Sequence, residues 1–264
     1  MNTIIFAVLL VGGIGLLIGL ILAIASMVFA VPKDEKAEAI EEILPGANCG
    51  ACGYSGCSGY AKALASGEAK PGLCSPGGED TVKAIAEILG VDAGSVEKKT
   101  ALVHCIGSSD NTENKMEYQG MLSCAAAAMI HGGLNKCSYG CIGLGDCAAA
   151  CPYDAIKICN GVARVDMDKC RACSMCVAAC PKNLISIVPA RNAAVVRCSN
   201  CDKGAQTRKD CKAGCIGCMK CVKVCEFAAV KVEKFHASID PELCTSCGKC
   251  IAACPQGCIS VISL

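Results

Sequence analysis

Residues 137–181 read CSYGCIGLGDCAAACPYDAIKICNGVARVDMDKCRACSMCVAACP, and their cysteine spacing returns 74 residues later in residues 211–255. Adding 74 carries Cys137, Cys141, Cys147, Cys151, Cys170, Cys173, Cys176 and Cys180 onto Cys211, Cys215, Cys221, Cys225, Cys244, Cys247, Cys250 and Cys254 without a gap. A tandem duplication is the simplest cause. Each copy holds closely spaced cysteines in one loop, another four residues on, and a partner set after an 18-residue spacer.

With 27 cysteines in 264 residues, no Trp, five Tyr and four Phe, the chain has little with which to build large apolar cores. Inorganic staples must hold it. A disulfide scaffold needs an oxidising compartment and usually a cleaved signal peptide. Zinc ribbons use two C-x2-C pairs apart in sequence, whereas C-x2-C-x2-C here puts three thiolates in one loop, suited to three corners of a cubane. That arrangement, with a fourth Cys ligating the cluster held by the other run, is the bacterial ferredoxin pattern. Iron–sulfur is the reading adopted over zinc and disulfides. The formal charge of +1 then misleads, because each 4Fe-4S core with its four thiolates carries roughly −2 when oxidised. The loaded protein is acidic, and without a basic stripe and interleaved aromatics nucleic-acid binding is not expected.

Ile4 to Val31 is a run of 28 residues without a charge, about 42 Å long as a helix against a hydrocarbon core of about 30 Å. No basic n-region precedes it and it is about twice the length of a signal h-region, so a retained transmembrane anchor is expected. Gly15, Gly19 and Ala23 recur at every fourth position, the small-residue spacing of helices that pack closely in lipid. Pro32 then opens KDEKAEAIEEIL, which places Ala37, Ile40 and Leu44 on one face and reads as a short amphipathic spacer. Lys33 and Lys36 favour a cytoplasmic exit, as does the reducing compartment in which clusters are loaded.

Next, NCGACGYSGCSGYAKALASGEAKPGLC gives Cys49, Cys52, Cys57 and Cys74 with spacings of two, four and sixteen, among glycines that let backbone wrap a cluster. A helix near 81–89 ends at Gly90, with Val82, Ile85, Ile88 and Leu89 on one face. The polar run GSSDNTENKMEYQG, residues 107–120, reads as a linker or exposed loop. Within each repeat the spacer is a hairpin: Ile156 and Ile158 alternate, Asn160-Gly161 is a type I′ turn signal, and Val162 and Val165 return. Val230, Val232 and Ile239 take similar positions in the second copy. Strands near LISIV and CISVISL complete two α+β modules.

The order of an apolar anchor, a C-x2-C-x4-C-x16-C domain and ferredoxin-like modules resembles the B subunit of Rnf complexes, membrane-bound ferredoxin:NAD oxidoreductases that couple electron transfer to ion translocation. The resemblance covers nearly the whole chain, is most specific in NCGACGYSGCSGYAKAL with Cys74, and through ALVHC, YQGMLSC and HGGLNKCSYGCIGLGDC matches the two-module form of anaerobes. It implies a single-pass protein on the cytoplasmic side of the cell membrane that takes electrons from reduced ferredoxin and relays them to other membrane and peripheral subunits. The chain alone offers no nucleotide motif and no nucleophile with its base, so catalysis would belong to the complex. An iron–sulfur component of another membrane oxidoreductase is the alternative.

The expected fold class is α+β: an anchor over 1–32, a 4Fe-4S domain over 33–100, and two tandem bacterial-ferredoxin-like modules over 101–190 and 191–264. Leu144 stands where the second copy has Cys218, so the first module must find a ligand elsewhere, and Cys137 is nearest in sequence. Crossed ligation then groups Cys137, Cys141 and Cys147 with Cys180, and Cys170, Cys173 and Cys176 with Cys151. The second module groups Cys215, Cys218 and Cys221 with Cys254, and Cys244, Cys247 and Cys250 with Cys225. Glu226 replaces the proline that follows Cys151, Cys180 and Cys254. With the Cys49 domain this makes five clusters. Cys105, Cys124, Cys198, Cys201 and Cys211 are left as candidate ligands of a sixth, three from the second approach and one from the first, because Cys124 and Cys198 keep the 74-residue offset. Cys159 and Cys258 interrupt strand-like stretches and are expected as buried structural thiols. His104, His131 and His236 are isolated and expected to pack or face solvent.

Overall fold

The structure, a computed structural model, describes residues 2–28, 34–94, 97–191 and 193–262. Helix α1, Asn2–Val28, carries no charge. Its stretch Leu9–Met27 has a mean hydropathy of 2.6 and none of it is buried against the rest of the chain. It is long and apolar enough to cross a bilayer. Pro32 and Lys33, where the charged segment was expected to open, lie outside the described residues.

The small domain follows. Helix α2, Glu35–Ile43, starts at Asp34, whose carboxylate accepts from the backbone N–H groups of Lys36 at 3.0 Å and Ala37 at 3.4 Å. Its apolar face, Ala37, Ile40 and Leu44, is buried as the period predicts. That face packs on α3, Cys57–Ala65, and α4, Gly78–Leu89, through Tyr60, Ala61, Leu64 and Ile85. The segment expected to be a spacer is therefore a wall of this domain: three apolar side chains one turn apart gain more by burial than a linker would allow. Helix α4 stops at Gly90, whose φ of +67° is the left-handed cap glycine tolerates.

The first module runs β1 (Lys99–Val103), α5 (Cys124–Ala128), α6 (Asp146–Ala149), β2 (Ile156–Cys159), β3 (Val162–Val165), α7 (Met175–Ala179) and β4 (Ile185–Pro189). The second runs β5 (Ala194–Val196), α8 (Gly204–Asp210), α9 (Lys220–Lys223), β6 (Val230–Glu233), β7 (His236–Ile239), α10 (Lys249–Ala253) and β8 (Ile259–Val261). In each, the outer strands pair antiparallel, β1 with β4 and β5 with β8, and the inner pair forms a hairpin. Asn160 and Gly161 have φ of +49° and +78°, as a type I′ turn demands. The second hairpin turns at Lys234 and Phe235, also at positive φ, so its strand pairing holds a turn that its side chains do not favour.

Each half-core is built partly of thiols. Ala101, Val103, Ile156, Val162 and Leu184 pack with Cys105, Cys147 and Cys176 in the first module; Val196, Val230, Ala237 and Ile259 pack with Cys198, Cys215, Cys221 and Cys250 in the second.

Of the 107–120 stretch, residues 113–120 are largely exposed, as expected, but residues 107–112 are held at the module junction. Ser108 and Thr112 are buried, Thr112 Oγ1 donates to the Asp210 carbonyl at 2.7 Å, and Lys212 N–H donates to the Asn111 carbonyl at 2.8 Å. Its polarity serves hydrogen bonds across the module junction. Arg197 Nε donates to the Val103 carbonyl at 3.3 Å and Ser199 Oγ to the His104 carbonyl at 3.2 Å. The His104 ring spans the same seam, 3.0 Å from the Val196 carbonyl and 2.6 Å from Ser186 Oγ, and burial holds its pKa down.

Candidate metal centres

The Cys49 loop is shaped by Asn48, whose Oδ1 accepts the Cys57 N–H at 2.8 Å. Gly56 lies at φ +107°, and a Cβ there would stand 2.7 Å from that oxygen. The buried Tyr60 hydroxyl donates to the Lys70 carbonyl at 2.9 Å and accepts from Leu73 N–H at 3.2 Å, fixing the segment that delivers Cys74. Burial pushes Tyr60 up to about 12. Burial also raises Cys74, beside Cys57, Cys49 and Cys52.

In the first module Cys170, Cys173 and Cys151 surround Cys176, which burial pushes up to about 11. Ala101 N–H donates to Cys170 Sγ at 3.3 Å. The other set departs from the expected grouping. Cys141, Cys147 and Cys180 line a void of about 20 Å³, and its fourth cysteine is Cys124, not Cys137. The Asp146 carboxylate accepts from Ser123 Oγ at 2.9 Å and from the N–H groups of Cys124 at 2.8 Å and Ala125 at 3.0 Å. Burial alone would raise Asp146, yet these bonds hold its carboxyl below the usual range. Thus a side chain next to Cys147 clamps the start of α5 and brings Cys124 to the void of Cys141, Cys147 and Cys180, where Cys137, nearer in sequence, is not found.

The second module gathers Cys215, Cys218, Cys221 and Cys254 around a void of about 20 Å³. Cys225, Cys244, Cys247 and Cys250 line another of about 20 Å³. Cys258, only 2% exposed, borders the first of these, its sulfur 3.6 Å from Cys254 Sγ, and a hydrogen bond to Cys215 together with burial pushes its thiol up. Cys159, by contrast, is exposed: the alternation of β2 points it outward, correcting its expected burial.

Between the modules, Cys105, Cys137, Cys198 and Cys211 line a fourth void, of about 20 Å³. Cys201, grouped with these in sequence, is not among the residues lining it, and its Sγ donates to the Ser199 carbonyl at 3.6 Å. His236 Nε2 lies 2.6 Å from the Cys198 carbonyl, whereas His131 is exposed. Among the described residues no three His, Cys, Asp or Glu are close enough to share one metal ion. Thiolates on one zinc stand within about 4 Å of each other, whereas in a cubane each binds a different iron and they stand farther apart. Four thiolates apiece is the donor set that a 4Fe-4S cluster takes.

Cysteine sets of this kind, on a duplicated hairpin-and-helix fold, define an iron–sulfur protein of the 4Fe-4S electron-transfer class. An Fe-S cluster family model matches residues 44–76, a 4Fe-4S binding domain 163–186 and a 4Fe-4S dicluster domain 214–258. The chain is 43% identical to the B subunit of the Na(+)-translocating ferredoxin:NAD(+) oxidoreductase complex of Acetobacterium woodii, over 98% of this chain and 78% of that one. It is 38% identical to the B subunit of the proton-translocating ferredoxin:NAD(+) oxidoreductase complex of Clostridium ljungdahlii over 99% and 94% of the two chains. To the B subunit of the ion-translocating oxidoreductase complex of Methanosarcina acetivorans it is 36% identical over 98% and 99%. The chain belongs to the family of B subunits of ion-translocating (Rnf) oxidoreductase complexes.

Proposed function

We propose that this chain is the membrane-anchored electron conductor of an ion-translocating ferredoxin:NAD oxidoreductase, accepting electrons from reduced ferredoxin and relaying them to partner subunits on the cytoplasmic side of the cell membrane. Five sets would hold 4Fe-4S clusters: Cys49/Cys52/Cys57/Cys74, Cys151/Cys170/Cys173/Cys176, Cys124/Cys141/Cys147/Cys180, Cys215/Cys218/Cys221/Cys254 and Cys225/Cys244/Cys247/Cys250. Such clusters supply reversible one-electron storage.

The observation that supports the proposal is the closeness of the sets within two groups. Cys49 lies near Cys173 and Cys176 near Cys147, while Cys221 and Cys250 share the core of the second module. The protein's part is to bury the thiols and to aim N–H groups at them. Leu184 N–H does so at Cys180 Sγ, 3.4 Å away. N–H donors favour the more negative state and so set the potential. Helix α1, apolar on every side, serves as the anchor.

The test is to mix full-length, iron-loaded protein in detergent with reduced ferredoxin under anaerobic conditions. Bleaching of the iron–sulfur absorbance without NADH formation is expected. Either failure to accept electrons or reduction of NAD by this chain alone would overturn the proposal.

A further inference from the structure

We propose that Cys105, Cys137, Cys198 and Cys211 hold a sixth 4Fe-4S cluster at the seam between the two modules, an inference that rests on the electron-conducting role above. The void these cysteines line, about 20 Å³, is the size of each of the three other cysteine-lined voids.

The four cysteines also form two equivalent pairs, one from each module. Residues 101–105 read ALVHC and residues 194–198 read AVVRC. Val103 pairs with Ile185 and Val196 with Ile259, strand positions 74 apart on the partner side, so Cys105 and Cys198 leave their strands at the same place. Cys105 Sγ accepts from Gly107 N–H and from Cys141 N–H, both at 3.4 Å. Cys198 Sγ accepts from Asn200 N–H at 3.4 Å and from Cys215 N–H at 3.2 Å. Cys137 and Cys211 are the second pair, each four residues before the cysteine whose N–H is donated. The structural partner of Cys198 is thus Cys105. Its 74-residue offset from Cys124 pairs residues of different use, because the first module carries a longer excursion between strand and loop.

The seam is prepared for a negatively charged group. The Asn200 side-chain amide, 1% exposed, donates to Cys137 Sγ at 3.5 Å. Arg197 and His104 are among the residues that line the void, and Arg197 Nε donates to the Val103 carbonyl. A Cβ on Gly107 would lie 3.3 Å from Cys211 Sγ and 3.6 Å from Cys105 Sγ, so glycine keeps the space clear. On loading, four thiols each lose one proton and each sulfur takes one iron of the cluster. The position joins the two halves. Cys141 belongs to the neighbouring set in the first module and Cys215 to its counterpart in the second, and each donates its N–H to a sulfur of this site.

Native mass spectrometry of the anaerobically purified, full-length protein counts clusters directly. Wild type and Cys201→Ser are expected to carry six, about 24 irons at four per cluster, and Cys105→Ser/Cys211→Ser five. Gly107→Leu leaves every cysteine in place but fills the void, and is also expected to carry five, which decides the matter should the double variant misfold. Five clusters in wild type, or six in Gly107→Leu, would overturn this site while leaving the electron-conducting role intact. No clusters in wild type would overturn that role as well.

Discussion

The backbone N–H of Cys141 donates to the sulfur of Cys105 at 3.4 Å, so a cysteine of one four-thiol set is bonded to a cysteine of the next. Cys215 repeats the relationship with Cys198 at 3.2 Å. Peptide groups thereby connect sets that the modular sequence presents as separate, and changes at the seam are expected to register in potentials rather than in fold.

Asn200→Ala removes the amide donor to Cys137 Sγ. A hydrogen bond of about 1 kcal/mol favouring the more negative state corresponds to roughly 40 mV for a one-electron couple. One midpoint is expected to move about that far negative in an EPR-monitored titration, the others staying put. The Asp202 N–H, now paired with Asn200 Oδ1 at 2.6 Å, loses its partner, so a cost of about 1–3 kcal/mol in unfolding by denaturant accompanies the shift.

Cys180→Ser is expected to remove the cluster of Cys124, Cys141 and Cys147 although Cys180 lies in the other cysteine run. Alkylation mapped by mass spectrometry checks it: Cys124 should become reactive while Cys137 stays protected. Reactivity appearing at Cys137 or at Cys173 instead would contradict the grouping. Asp146→Ala, which frees the start of α5, should loosen the same cluster without touching a ligand.

Much of this is legible in the cysteine spacing. The duplicated hairpins, the cap at Gly90 and the Cys49 set follow from local patterns that tolerate little else. What the spacing hides is long-range. Cys124 reaches its set because Asp146 binds α5, a contact across 22 residues in sequence. Residues 107–120 read as a linker or exposed loop because they are polar, and 113–120 are largely exposed, yet Asn111 and Thr112 are bonded to Lys212 and Asp210. The likeness of ALVHC to AVVRC is masked by the exact offset between Cys124 and Cys198, the more conspicuous signal of the two. Cys159 sits in an apolar-looking strand, and only the pairing of β2 shows which way it faces.

Removing Met1–Val31 should yield a soluble, brown, redox-active protein, because the cysteine-lined cores and not α1 hold the remaining domains together. Iron content and visible absorbance check this. A colourless product after anaerobic iron loading would contradict it.

Lys203, Arg208, Lys209 and Lys212 are all exposed on and around α8, the helix that ends at Cys211. An acidic electron donor would be steered to such a patch. Neutralising all four should slow electron transfer from reduced ferredoxin at low ionic strength and flatten its salt dependence, as read by stopped-flow absorbance. An unchanged rate would remove the patch from the docking face.

The most direct measurement of a continuous conductor is the EPR spectrum of the fully reduced, full-length protein. Clusters held in adjoining sets, Cys49 beside Cys173, Cys147 beside Cys176, and the seam between Cys141 and Cys215, are expected to give broadened signals with spin–spin splitting that sharpen when one set is deleted. A spectrum that is the plain sum of isolated, uncoupled centres would contradict a serial wire.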